Sequence, residues 1–218
     1  MALTFSKGDM IVFDGDSLTN RRSAGNPDTW PFLRLMNWDK PWTDTMSEML
    51  FCWRPDLQLS FFNAASGGST CHGMAERFDA NVLARKPNWV IASVAGNDMR
   101  LGIPLEEYRA VMTNYAHQLR AANCQVLFFA ISECGPDYPN AEKFPGRRAY
   151  YNILHDIADN TEGVHYIDIG PNVAKKATLM KELHELHTIY SDGGHYNAVG
   201  NMIIAGEIMQ AFGFVNGG

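Results

Sequence analysis

Five short apolar runs, at residues 10–13, 57–63, 89–94, 126–131 and 164–169, recur along this chain, each with the length and the β-branched or aromatic content of a buried strand. Turn formers such as Gly and Pro stand near their ends. Segments with apolar residues at helical spacing fall between and after them, at 74–85, 105–122, 147–160, 173–187 and 197–212. Parallel strands need a crossover that packs back onto the sheet, and an amphipathic helix needs a surface for its apolar stripe. The alternation therefore predicts an α/β fold, a three-layer α/β/α sandwich around a five-stranded parallel sheet. Ligands of such sheets bind beyond the carboxyl ends of the strands. Four loops meet that condition, beginning at Asp14, at Asn63, at Ala95 and, before the last helix, at about Ser191.

Composition narrows the function classes. The 218 residues are 46% hydrophobic and 19% charged, enough to bury a sizeable core without disulfides or a structural metal. No internal repeat, low-complexity tract or linker interrupts the series, so residues 1–218 are expected to form one domain. Its one irregular stretch, 21–53, reads as an insertion holding Trp30, Trp38, Trp42 and Trp53, four of the five tryptophans. A net charge of −6 argues against nucleic acid as a partner, because phosphate binding needs a concentrated Lys/Arg field. The cysteines at 52, 71, 124 and 134 match neither a CxxC pair nor a zinc ribbon and are expected as reduced thiols. The first residues lack the basic start and long apolar run of a secretory signal, which predicts a cytoplasmic location. No apolar run approaches the roughly 20 residues of a membrane-spanning helix.

The chemistry converges on a hydroxyl. Gly15-Asp16-Ser17-Leu18 places Ser17 at the end of the first strand, where it needs a base to become a nucleophile. Ser191-Asp192-Gly193-Gly194-His195 supplies an imidazole and a carboxylate three residues apart in a glycine-rich turn. One imidazole nitrogen must face the serine while the other donates to a carboxylate that fixes its tautomer, giving the order Ser17, Asp192, His195. Acyl transfer also needs donors for the oxyanion. The stretch 63–70, with Gly67 and Gly68, offers backbone N–H groups, and Gly96-Asn97-Asp98 offers a side-chain amide. Each piece alone is an ordinary turn. His184 and His187 with Asp192 and His195 invite a metal reading, but the spacing is not His-Glu-x-x-His, so neither a metal nor another cofactor is expected.

Together, Gly15-Asp16-Ser17-Leu18, residues 63–70, Gly96-Asn97-Asp98 and Asp192-Gly193-Gly194-His195 resemble, in order, the four sequence blocks of the SGNH hydrolases, also called GDSL esterases/lipases. The resemblance spans residues 14–200. It implies a flavodoxin-like sandwich in which Ser17 is the nucleophile, His195 the general base and Asp192 the group that orients it. It also implies an oxyanion hole formed by the Ser17 N–H, a glycine N–H of the second block and the Asn97 side chain. Alignment on Asn63 selects Gly68, with Gly67 as the neighbouring alternative. Asp16 is expected to brace its loop, and Asp98 to be a turn residue.

In length and in its aromatic content after the first block, the chain is similar to intracellular carbohydrate acetylesterases acting on xylo-oligosaccharides. The implied reaction is hydrolysis of a short-chain ester, an O-acetyl group on a small glycan. A short-chain thioesterase or lysophospholipase on the same framework is the alternative enzyme, and a non-catalytic carbohydrate-binding protein is the alternative of another class. The tryptophans either pack a long loop or line the site, with Trp30, Trp38 and Trp42 as the candidate substrate contacts. A subunit contact would use the same aromatics, which leaves a homo-oligomer open.

Overall fold

A computed structural model describes residues 3–20, 40–138, 141–143, 145–185, 187–192 and 194–214. Strand β1 (Met10–Gly15) leads through a short helix, α1 (Ser17–Asn20), and later α2 (Trp42–Trp53), to β2 (Ser60–Asn63). Then come α3 (Cys71–Glu76), β3 (Trp89–Ser93), α4 (Gly96–Leu101), α5 (Leu105–Ala121), β4 (Gln125–Ala130), α6 (Pro145–Asn160), β5 (Val164–Asp168) and α7 (Gly170–Leu183). A two-stranded hairpin, β6 (Tyr190–Asp192) and β7 (His195–Tyr196), precedes α8 (Ala198–Ala211). The five main strands are all parallel, in the order β2-β1-β3-β4-β5, as the α/β reading expects.

Period-two alternation sends successive strand residues to opposite faces, and both faces are covered. Val12, Val90, Ala92, Val126 and Phe128 pack against Met74 of α3, Tyr108, Met112, Ala116 and Leu119 of α5, and Leu154 of α6. On the other face, Ile11, Phe13, Ile91, Leu127 and Phe129 meet Trp42, Met46 and Leu50 of α2, Val173 of α7, and Ile204 and Ile208 of α8. The spacing of α5's buried residues, 108, 112, 115, 116 and 119, is the stripe that predicted it.

The larger departures from the sequence reading lie at four places. The second strand starts at Ser60, because Pro55–Leu57 forms a single 3-10 turn and Gln58 adopts a left-handed conformation at φ 49°. The helix expected at 74–85 begins earlier, at Cys71 after the N-cap Thr70, then widens into a π turn at Phe78–Val82 and tightens into a 3-10 turn at Leu83–Arg85. The helix read at 173–187 runs from Gly170 to Leu183. The stretch 21–53 is not irregular throughout: its last twelve residues form α2, whose Trp42, Met46 and Leu50 recur every fourth position and are wholly buried.

Candidate active site

Strand order sets the location. The chain leaves β1 for the edge strand β2 and then crosses back to β3, so the loops after β1 and β3 diverge and open a crevice at their carboxyl ends. Strand β1 ends in Gly15, whose φ of +144° and close approach to Ser93 admit no side chain: a Cβ there would lie 2.3 Å from the Ser93 carbonyl oxygen. The next residue turns the chain. The Asp16 carboxylate accepts the Leu18 N–H at 2.9 Å, and its carbonyl accepts those of Thr19 and Asn20, both at 3.1 Å. This closes the turn on which Ser17 sits.

Across 178 residues of sequence, Ser17 Oγ meets His195 Nε2 at 2.9 Å. The imidazole is carried by β7, whose antiparallel register with β6 sets the backbone of Asp192 opposite His195. Asn197, two residues on, caps α8 by accepting the Gly200 N–H at 3.0 Å.

The second loop is held from both sides. Asn63 Nδ2 donates to the Thr19 carbonyl at 3.0 Å and to Thr43 Oγ1 at 3.1 Å, while its Oδ1 accepts the Ala65 N–H. Ser66–Ser69 closes through a 3.1 Å bond from the Ser69 N–H to the Ser66 carbonyl, and Gly68 takes the left-handed corner at φ +76°. The glycine that abuts the nucleophile is Gly67, where a Cβ would lie 4.0 Å from Ser17 Cβ; Gly68 has nothing within that distance. From the third loop, Asn97 Nδ2 donates to the Ser69 carbonyl at 3.0 Å and approaches Asp16 Oδ2 at 3.4 Å. Asp98 departs from the expected turn role. Wholly buried, it reaches across to accept the Cys71 N–H at 2.8 Å and so fastens the third loop to the start of α3.

Electrostatics follow from burial. Desolvation pushes the Asp16 carboxyl up to about 6, opposed by the Leu18 N–H and by the charges of Arg147 and His195. Burial also raises Asp14, at the end of β1, although Arg77 and Tyr115 favour its ionised form. Neither Arg77 nor Tyr115 was found by sequence reasoning, since both look like ordinary helix residues. The usable signal was Asp14 itself, an acid closing an apolar strand, which needs a partner when buried.

Of the tryptophans proposed to touch substrate, Trp30 and Trp38 lie outside the described residues. Trp42 is corrected: its ring packs edge-on against Phe13 at 5.1 Å and Phe129 at 5.3 Å with no exposed surface, and it is a core residue. Trp53, at the end of α2, is the half-exposed one.

The profile of the GDSL-like lipase/acylhydrolase family matches residues 13–203. The chain belongs to that family. Membership makes it a carboxylic ester hydrolase, and the four loops above fall within the matched span. An acetylxylan esterase of Geobacillus stearothermophilus is 24% identical over 221 residues, covering 97% of both chains. Among solved structures, LAE5, an α/β hydrolase from the metagenome of Lake Arreo, Spain, superposes with a TM-score of 0.75 at 20% identity, over 97% of this chain and 98% of its own. A catalytic mutant of Axe2, an acetylxylan esterase from Geobacillus stearothermophilus, superposes with a TM-score of 0.73 at 18% identity, over 99% of this chain and 100% of its own. Among the described residues, no helix is long and apolar enough to cross a membrane.

Proposed function

We propose that this hydrolase removes short acyl groups, chiefly O-acetyl, from small carbohydrates through an acyl-enzyme on Ser17. The observation that carries the reading is the 2.9 Å contact between Ser17 Oγ and His195 Nε2 at the carboxyl edge of the sheet. In the proposed cycle His195 Nε2 takes the Ser17 proton as Oγ attacks the ester carbonyl, and Asp192 orients the imidazole. Charge gathers on the carbonyl oxygen, facing the Ser17 N–H, an N–H of the Gly67–Gly68 turn and the Asn97 amide. Gly67 is the nearer of the two glycines to Ser17. Collapse breaks the bond to the sugar oxygen, which leaves with the proton from His195. Water then attacks the acyl carbon, giving its proton to His195; collapse breaks the bond between Ser17 Oγ and the acyl carbon, Oγ takes the proton back from His195, and the acid is released. Asn97 Nδ2 carries two hydrogens, and its contact with Asp16, at 3.4 Å, is the weaker of its two, so an oxyanion beside it competes with a long bond only.

Support for the residue roles comes from the acetylxylan esterase relative, of which catalytic mutants exist at a serine, a histidine and an aspartate. Support for the substrate is that relative's name. Mass spectrometry after fluorophosphonate treatment tests the nucleophile: the label is expected on the peptide containing Ser17 and absent from Ser17→Ala, which should fold yet turn over no ester. Label elsewhere removes Ser17 from the mechanism. The substrate is tested with p-nitrophenyl acetate against the octanoate and with acetylated xylo-oligosaccharides. Faster turnover of the octanoate would defeat the acetylesterase reading.

A further inference from the structure

Arg77 lies outside the catalytic constellation, yet it spends its whole hydrogen-bonding capacity beneath it. Its Nε and Nη2 fork onto Asp14 Oδ1 at 3.1 and 2.6 Å, and Nη2 also reaches the Gly15 carbonyl at 2.8 Å, fixing the end of the strand that delivers Ser17. Nη1 donates to Ser69 Oγ at 2.5 Å and to the Gly73 carbonyl at 2.8 Å, fixing the loop that carries Gly67 and Gly68. Ser69 in turn accepts the Asn97 amide through its carbonyl. One guanidinium thus ties together the elements bearing all three donors assigned to the oxyanion. The site around it is built for this. Arg77 is 12% exposed, and Asp14, wholly buried, also accepts the Tyr115 hydroxyl at 2.7 Å and the Gly15 N–H at 2.8 Å. Gly73 leaves the passage open, since a Cβ there would fall 2.6 Å from Ser69 Oγ.

We propose that Arg77 is a positioning residue for ester hydrolysis, its planar fork setting the spacing between the nucleophile turn and the second-block loop so that the oxyanion donors converge. The inference rests on the oxyanion reading above. A lysine cannot reproduce it, because a single ammonium cannot hold two planar edges at once. The rival is that Arg77 only neutralises Asp14 and keeps the protein folded. In that case, removing both charges would repair the damage, as neutral replacement of a buried ion pair often does.

The experiment compares Arg77→Lys, Arg77→Met and the double variant Asp14→Asn/Arg77→Met, reading urea stability together with kcat and KM on p-nitrophenyl acetate. The expected result is that Arg77→Met loses both stability and kcat. The double variant should regain stability while its kcat stays about 10²-fold down with KM within about twofold, the size that a misplacement of about 1 Å produces. Recovery of kcat along with stability overturns the proposal. If Arg77→Met does not fold, the double variant decides on its own, and Arg77→Lys, expected to lose at least about tenfold in kcat, decides if neither folds; wild-type kcat in the deciding variant overturns the proposal. Ser17→Ala, assayed in parallel, separates the two readings. Full activity there would sink the nucleophile assignment, whereas an inactive Ser17→Ala beside a fully active Arg77→Lys sinks only the role given to Arg77.

Discussion

Asn97 shows how closely single side chains are accounted for at this site. One of its amide hydrogens is held by the Ser69 carbonyl at 3.0 Å, and the other faces Asp16 at 3.4 Å, beyond the best hydrogen-bonding range. A donor held that loosely costs little to redirect toward a charge forming on the substrate. Asn97→Ala is therefore expected to lower kcat by about 10²–10³ with little change in KM, measured on p-nitrophenyl acetate. The glycines separate two kinds of constraint at the same scale. Gly68→Ala meets only conformational strain and should cost about 1–2 kcal/mol in urea unfolding. Gly15→Ala meets the Ser93 carbonyl as well and should cost more than Gly68→Ala in the same measurement.

At the scale of elements, α2 carries the clearest lesson. Its Trp42 packs on the sheet face against Phe13 of β1 and Phe129 of β4, so Trp42→Ala should destabilise the protein by about 3–5 kcal/mol in urea unfolding. Were Trp42 a substrate contact, the dominant effect would be on KM, and stability would barely move. The sequence showed the three central strands best, because β1, β3 and β4 are near-continuous apolar runs, the pattern that burial on both faces demands. It showed α5 because its stripe is clean. It hid α2 because tryptophans are ambiguous: a large ring suits a core and a binding face equally, and clustering drew attention from the 42, 46, 50 spacing. The serine and histidine loops stood out only in combination, a hydroxyl, amide donors, a carboxylate and an imidazole in one order along the chain, since each alone reads as a turn. Arg77 was not, because nothing in an arginine on a helix announces that it folds back 63 positions to a buried acid.

For the whole molecule, the carboxyl edge of the sheet concentrates acids that burial has pushed upward: Asp14, Asp16 and Asp98. A carboxyl whose pKa is raised by folding binds a proton more readily in the folded state, so stability is greatest when it is protonated and is lost as pH rises through the folded value. For Asp16 the window runs from its ordinary value of 3.8 to about 6, and the full loss is on the order of 3 kcal/mol. His165 acts in the opposite sense. Burial and Arg120 lower its pKa, so its contribution weakens as pH falls below 6.5, but it is one partly exposed ring against three buried acids. The unfolding free energy should accordingly be larger near pH 5 than near pH 7.5. Asp16→Asn isolates the cause. Urea unfolding at pH 5 and 7.5 should show a smaller difference in the variant than in the wild-type protein, with the variant the more stable of the two at pH 7.5. An equal pH difference in both would mean that the acids of the sheet edge remain ionised across this range and that the molecule does not trade stability for a charged catalytic edge.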